Sequence, residues 1–215
     1  MSAKPADQKD EDFVSVSIDL PLNQNDLYAY ICKVERLFRL NPYLEIKSWQ
    51  EDEIGNLYTG KNIKVACLNE MNGLEQNLIL GIPALQPGKS LSLNYDSGLK
   101  QATHYSIEAL DTASSRLTIK EVYPANLSVA EKEARLSEVD KSLVPWGEAI
   151  HAYFLRRRRW AWMPFYTWFQ DVFWLGMSPR HRRITRMILW TTVLEFVVFL
   201  FVFVIYWLEH GRAHT

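Results

Sequence analysis

Between Met187 and Leu208 the chain reads MILWTTVLEFVVFLFVFVIYWL, 22 residues with a single ionisable side chain, Glu195. At about 1.5 Å of rise per residue, a helix of this length measures about 33 Å, enough to cross a hydrocarbon core of about 30 Å. The core helix of a water-soluble domain keeps a polar stripe, and Phe196 to Leu208 has none. The stretch predicts one transmembrane helix, so the residues before it form a domain that works beside a bilayer. Trp190, Tyr206 and Trp207 stand near the two ends, at the depth aromatic rings favour. Glu195 falls about 12 Å into the helix, where a charge costs about 3 kcal/mol on insertion scales. It reads either as a polar contact to a partner helix or bound group, or as a protonated carboxyl bonded to Thr191 or Thr192.

Charge is split along the chain. Residues 1–155 carry 15 Lys/Arg against 22 Asp/Glu, and residues 156–215 carry nine against three. A basic segment between a domain and a membrane helix predicts contact with anionic lipid rather than nucleic acid. Arg180, Arg182, Arg183 and Arg186 precede the apolar run and only Arg212 follows it. The positive-inside rule then puts the N-terminal domain in the cytoplasm, with the helix in the inner membrane if the host is bacterial. The opening residues MSAKPADQKDEDF lack the pattern of a secretory signal, and 1–12 are expected to be disordered. Cys32 and Cys67 have no metal-type spacing and require no disulfide. Asn126-Leu127-Ser128 matches a glycosylation sequon by chance, since a cytoplasmic domain does not meet that machinery.

Residues 160–176, WAWMPFYTWFQDVFWLG, are short, aromatic and flanked by basic clusters on both sides, with Asp171 inside. A second crossing would place one cluster on the wrong side. The expectation is an interfacial helix in the headgroup region, with a basic linker extending to residue 183. The membrane-interface set is Arg156, Arg157, Arg158, Arg159, Trp160, Trp162, Trp168, Trp174, Arg182 and Arg183. A second crossing or re-entrant segment, and packing on a partner, are the alternatives.

Upstream, Phe13 to Leu20 alternates, with Val14, Val16, Ile18 and Leu20 on one face. Asn23 or Asn25 can cap a helix carrying Leu27, Tyr30, Ile31 and Val34, and a second helix around Glu35 to Leu40 stops before Asn41-Pro42. Six strand-like runs follow: Leu44 to Gln50, Asn62 to Leu68, Leu74 to Ile82, Ser90 to Tyr95, Thr103 to Leu110 and Arg116 to Tyr123. The turn signals between them include Asn72-Gly73, Pro87-Gly88 and Ser97-Gly98, which predicts an antiparallel meander. Ser128-x-x-Glu131 reads as a capping box opening a long helix to Arg159. Leu136, Val139, Leu143, Trp146, Ile150 and Tyr153/Phe154 form its apolar face. Pro145 lacks an amide hydrogen and is expected to kink or divide that helix.

The stretch FVSVSIDLPLNQNDLYAYICKVERLFRLNPYLEIKSW, with the element order it opens, resembles the helix-grip fold of the START-like, or SRPBCC, superfamily. That group includes polyketide cyclases, lipid-transfer domains and coenzyme Q-binding proteins. The likeness covers about residues 13–157 and implies an α+β domain, a curved antiparallel sheet around a long C-terminal helix. Everything after Arg159 is an addition. The division expected is 1–12, a helix-grip domain at 13–159, an aromatic and basic segment at 160–183, and a transmembrane helix and tail at 184–215.

The resemblance implies a cavity between sheet and helix that holds an apolar molecule. Candidates for its lining are Tyr95, Tyr105, Ile107, Leu136, Val139, Leu143, Trp146 and Ile150. The competing reading is that the same residues fill a core. His104, Glu108 and Glu121, with Tyr123 nearby, are the polar groups on strands that could act as acid or base, and His104 and Glu108 share a face. No phosphate loop, nucleophile elbow or dinucleotide fingerprint is present, and His210 and His214 lack further metal ligands. No catalytic residue, metal or cofactor is assigned. The expected function is a membrane-anchored domain binding a lipid, isoprenoid or quinone. The alternatives are an accessory subunit of a membrane complex, which would contact a partner through the transmembrane helix, and a cyclase-type enzyme.

Overall fold

A computed structural model describes residues 12–52, 55–98, 100–124 and 129–212, with the side chains of 129–142 outside that description. Leu136, Val139, Glu131, Ser128, Asn126 and His214 therefore carry expectations that lie outside the described residues. The chain forms two compact units, one ending at Gly176 and one starting at Met177.

The first unit opens with β1 (Asp12–Leu20), α1 (Gln24–Ile31) and α2 (Val34–Arg39). Asn23 is the N-cap of α1, its side-chain oxygen accepting the Asp26 amide at 2.8 Å. Six strands follow: β2 (Leu44–Glu51), β3 (Asn62–Asn69), β4 (Leu74–Gln86), β5 (Ser90–Tyr95), β6 (Ala102–Ala109) and β7 (Ser115–Tyr123). The long α3 (Val129–Arg159) closes the set. All strand pairs are antiparallel, in the order β1-β7-β6-β5-β4-β3-β2. The two first strands in sequence thus form opposite edges of one open sheet. Gly73 and Gly98, at φ 68° and 97°, occupy turn positions that a side chain would strain.

Two departures from expectation have local causes. β4 continues to Gln86, through Pro83, instead of stopping at Ile82. Its register against β5 shifts between Gly81 and Ala84, so the missing Pro83 amide interrupts no ladder bond. α3 is one helix through Pro145 and is not divided there. Proline removes only one intrahelical bond, and packing holds both halves: Leu143, Trp146 and Ile150 are all buried. Gly147 brings α3 close to β1, where a Cβ would meet Ile18 Cδ1 at 3.2 Å and Val16 Cγ2 at 3.4 Å.

One face of the sheet meets the helices. It carries Ile18, Ile63, Val65, Cys67, Leu80, Leu91, Leu93, Tyr105, Leu117 and Ile119, all buried in one cluster with Leu27, Ile31 and Leu37 of the helices. At about 25 cal/mol per Å2 of apolar area removed from water, this shared face is the main source of cohesion.

Past α3, the expected single interfacial helix is two short pieces, α4 (Pro164–Trp168) and a π-helical turn (Phe169–Trp174). The second unit is built on α5 (Pro179–Arg212). α5 is long and apolar enough to cross a membrane: its most apolar window has mean hydropathy 2.6, and none of that window is buried. A soluble core helix would be covered.

Candidate functional site

The inner face of the sheet has two chemically different ends. Toward α2 it is packed with rings. Trp146 of α3 meets Phe38 at 5.8 Å and Tyr105 at 6.3 Å between ring centres, both edge-on, and Phe38 meets Trp49 at 5.9 Å. The Trp146 indole donates to the Leu37 carbonyl at 3.0 Å, so the ring is held as well as buried.

Where β7 ends and α3 follows, the same face turns polar. Thr103 of β6 is paired in register with Glu121 of β7. Glu121 is 1% exposed, accepts from Tyr123 Oη at 2.7 Å and pairs with Lys100 Nζ at 2.5 Å. The Tyr95 hydroxyl shares a 2.9 Å bond with Thr103 Oγ1. Tyr105, two residues along β6, is fully buried, and its hydroxyl has no hydrogen-bond partner among the described residues. Burial pushes the Tyr105 phenol well above its usual range and raises that of Tyr95 as well. Cys67 of β3 lies within electrostatic reach of Lys100; burial raises its thiol and the lysine acts in the opposite sense. The groups here are therefore hydroxyls and one carboxylate paired with the Lys100 ammonium, a set that donates and accepts hydrogen bonds.

Of the lining set expected from sequence, Tyr105, Ile107, Leu143, Trp146 and Ile150 are buried in the interior, and Tyr95 is half-buried at the polar end. His104 and Glu108 do share a face, but it is the outer one. His104 bonds Ser92 through Nδ1 at 2.9 Å, and Glu108 is exposed. Beside the turn at 96–101 there is an open groove of mixed lining, with Asn94, Asp96, Lys100 and His104 on one hand and Tyr95 and Val122 on the other. Sequence reasoning named Glu121 without assigning it to the interior and missed Thr103 and Lys100. The legible signal was parity, since Glu121 alternates with Leu117 and Ile119 on one face.

A second cluster lies at the far end of α3. Asp171 of the π-helical turn accepts from Tyr153 Oη at 2.5 Å, from Arg36 Nη1 at 3.0 Å and from Arg157 Nη1 at 3.0 Å. Arg157 also donates to Tyr153 Oη at 3.0 Å. Burial and the bond to Asp171 push the Tyr153 phenol up to about 12. Gln170 and Leu175 of the same segment are buried. On the other side Trp162 is 73% exposed and Phe165 63%, with Trp168, Val172 and Phe173 also exposed. Arg156, Arg158, Arg159 and Trp160 are exposed and Trp174 is half-buried. Arg182 and Arg183 lie in the first turns of α5. Glu195 is exposed on α5 with no bond to a threonine among the described residues; the Thr191 hydroxyl donates to the Met187 carbonyl at 3.1 Å.

No protein-family model matches this chain, and no curated protein matches it in sequence. Solved structures do match. The Zhui aromatase/cyclase from Streptomyces sp. R1128 shares 14% identity at a TM-score of 0.54, over 70% of this chain and 98% of its own. The di-domain ARO/CYC BexL from the BE-7585A biosynthetic pathway shares 14% at 0.52, over 67% of this chain and 46% of its own. XoxI from Bacillus cereus shares 13% at 0.50, over 66% of this chain and 95% of its own. At these identities the likeness is one of fold. The first unit has a helix-grip fold, and a C-terminal apolar helix follows it.

Proposed function

We propose that this START-like helix-grip domain holds an apolar ligand with one polar end, of the lipid, isoprenoid or quinone class, and is tethered by α5 to the membrane that supplies it. The single observation behind this reading is the polar end of an otherwise apolar inner face. Tyr105 keeps a buried hydroxyl with no described partner beside the Thr103–Tyr95 and Glu121–Tyr123 bonds. An unmet buried hydroxyl costs about 1–3 kcal/mol, and a ligand hydroxyl or carbonyl placed against it would recover that cost. Tethering favours exchange because apolar ligands are scarce in water and concentrated in the bilayer. The domain then lies on the cytoplasmic side, in keeping with the arginines that precede the apolar run.

The test is extraction and mass spectrometry of the full-length protein purified in detergent. A specific apolar species should co-purify near one per chain and be retained several-fold less by Tyr105→Phe. Bulk lipid should not change between the two proteins. If wild type carries only what the detergent control carries, the ligand reading fails.

One observation favours a second reading, an accessory subunit of a membrane complex. Glu195 is exposed on an apolar helix with no hydrogen bond or ion pair among the described residues. Such a carboxyl in lipid calls for a partner. Under that reading Glu195→Leu releases a co-purifying membrane protein, and unchanged association rejects it.

A further inference from the structure

The segment after α3 has two faces, and what divides them is one carboxylate. Asp171 collects the Tyr153 hydroxyl and two guanidinium groups, and Gln170 and Leu175 of the same segment are buried. Trp160, Trp162, Phe165, Trp168 and Phe173 of the same segment carry exposed rings. The rings contact one another in two groups: Trp160 with Trp162 at 6.2 Å and with Tyr166 at 5.9 Å, and Phe165 with Trp168 at 5.1 Å and with Phe169 at 6.3 Å, Phe169 in turn meeting Phe173 at 5.1 Å. Exposed rings gathered in one short segment of a folded domain mark an interaction surface.

We infer that this ring-bearing face is a bilayer-seating surface, held in a fixed orientation by the Asp171 clamp, and that its partner is the anionic surface of the membrane. Three features select lipid as the occupant. The rings are Trp, Tyr and Phe, the composition of membrane interfaces. The charges around the segment are basic: Arg156, Arg158 and Arg159 are exposed just before it, and the one acid inside it, Asp171, is already met by two arginines. The chain also limits the distance. Gly176 precedes the apolar run at Met187 by eleven residues, and those from Pro179 onward are helical. That stretch reaches at most about 25 Å at the standard rises of helix and extended chain. A surface tethered so close to lipid meets it at high effective concentration.

The clamp matters because a flexible aromatic loop would have to be ordered as it entered the interface. Here ordering is complete beforehand. Arg157, which the sequence places among the lipid-facing arginines, acts from within the clamp instead. This inference stands apart from ligand binding: the surface seats the domain whether or not its interior holds a molecule.

The experiment uses the full chain in nanodiscs of phosphatidylcholine and phosphatidylglycerol, with a fluorophore on Phe165→Cys and, as control, on Met71→Cys in the exposed β3–β4 turn. The expected result is blue-shifted emission at position 165, quenched at least threefold by lipid spin-labelled near the headgroup, and no quenching at position 71. Asp171→Asn, which keeps the side-chain volume, should reduce the quenching at 165 by half or more. Water-like emission at 165 overturns the inference. Blue-shifted emission that lipid does not quench also overturns it, since a protein would then cover the face. Equal quenching in Asp171→Asn and the parent overturns the role of the clamp.

Discussion

Arg36 and Asp171 lie 135 positions apart in the chain and 3.0 Å apart in space. The contact ties α2, near the start of the domain, to the last turn before its end. Tyr153 and Arg157 of α3 meet the same carboxylate, so three helical elements depend on one side chain that is 12% exposed. Asp171→Ala should therefore lower stability by about 1–3 kcal/mol, the cost of leaving such donors without their acceptor. Thermal unfolding measures the loss. Limited proteolysis should show earlier cleavage within 160–176 than anywhere in the sheet.

Alkali should unfold the domain through its tyrosines. Tyr153 ionises near 10 when unfolded and near 12 when folded, so the native state holds a proton that the unfolded chain gives up. That contribution is complete below pH 10 and disappears as pH rises through about 12. Tyr30, Tyr95 and Tyr105 act in the same direction. Denaturant midpoints between pH 9 and 12 should fall, and the fall should be shallower in Tyr153→Phe.

The polar end of the inner face can be dissected by two substitutions. Tyr123→Phe removes one donor to Glu121 and should cost about 1 kcal/mol. Glu121→Leu removes the carboxylate that both Lys100 and Tyr123 meet. Lys100 is about one-third exposed and can turn to water, which limits the expected loss to about 1–3 kcal/mol rather than the larger penalty of a fully buried broken pair. Urea midpoints of the two variants check the order.

Gly147→Val should destabilise by about 1–3 kcal/mol, because Ile18 and Val16 of β1 occupy the space its side chain needs. Trp146→Phe, which gives up the bond to the Leu37 carbonyl and part of the ring stack, should cost a similar amount. Chemical denaturation with tryptophan-independent detection, such as far-ultraviolet dichroism, tests both.

Much of this was readable from residue order alone. Alternation in Val14–Leu20, the cap at Asn23 and the glycine turns at 73, 88 and 98 mark local structure, and local structure is set by neighbours in sequence. The end of β4 and the undivided α3 were harder to read because a proline's effect depends on what surrounds it: a register shift accommodates Pro83, and a packed apolar face carries the helix past Pro145. The interior was partly legible. Parity groups Tyr105 with Ile107 and Glu121 with Ile119, but the bond from Tyr123 to Glu121 needs coordinates. The clamp was not legible at all. Asp171 stood out only as a charge that argued against a second crossing. Its partners Arg36 and Tyr153 carry no mark that joins them to it.

The sheet's strand order also has a consequence for biosynthesis. β1 borders only β7, and the pairing of Ser17 with Thr118 spans 101 positions. A ribosome making this chain releases β1 long before its neighbour exists, so the first strand waits with a bare hydrogen-bonding edge while β2 to β6 assemble. The last piece of the sheet arrives only some 60 residues before the apolar run does. Translation thus presents the cell with a newly completed sheet and a long exposed apolar helix in quick succession, and a chaperone that shields the first has little time before the second emerges.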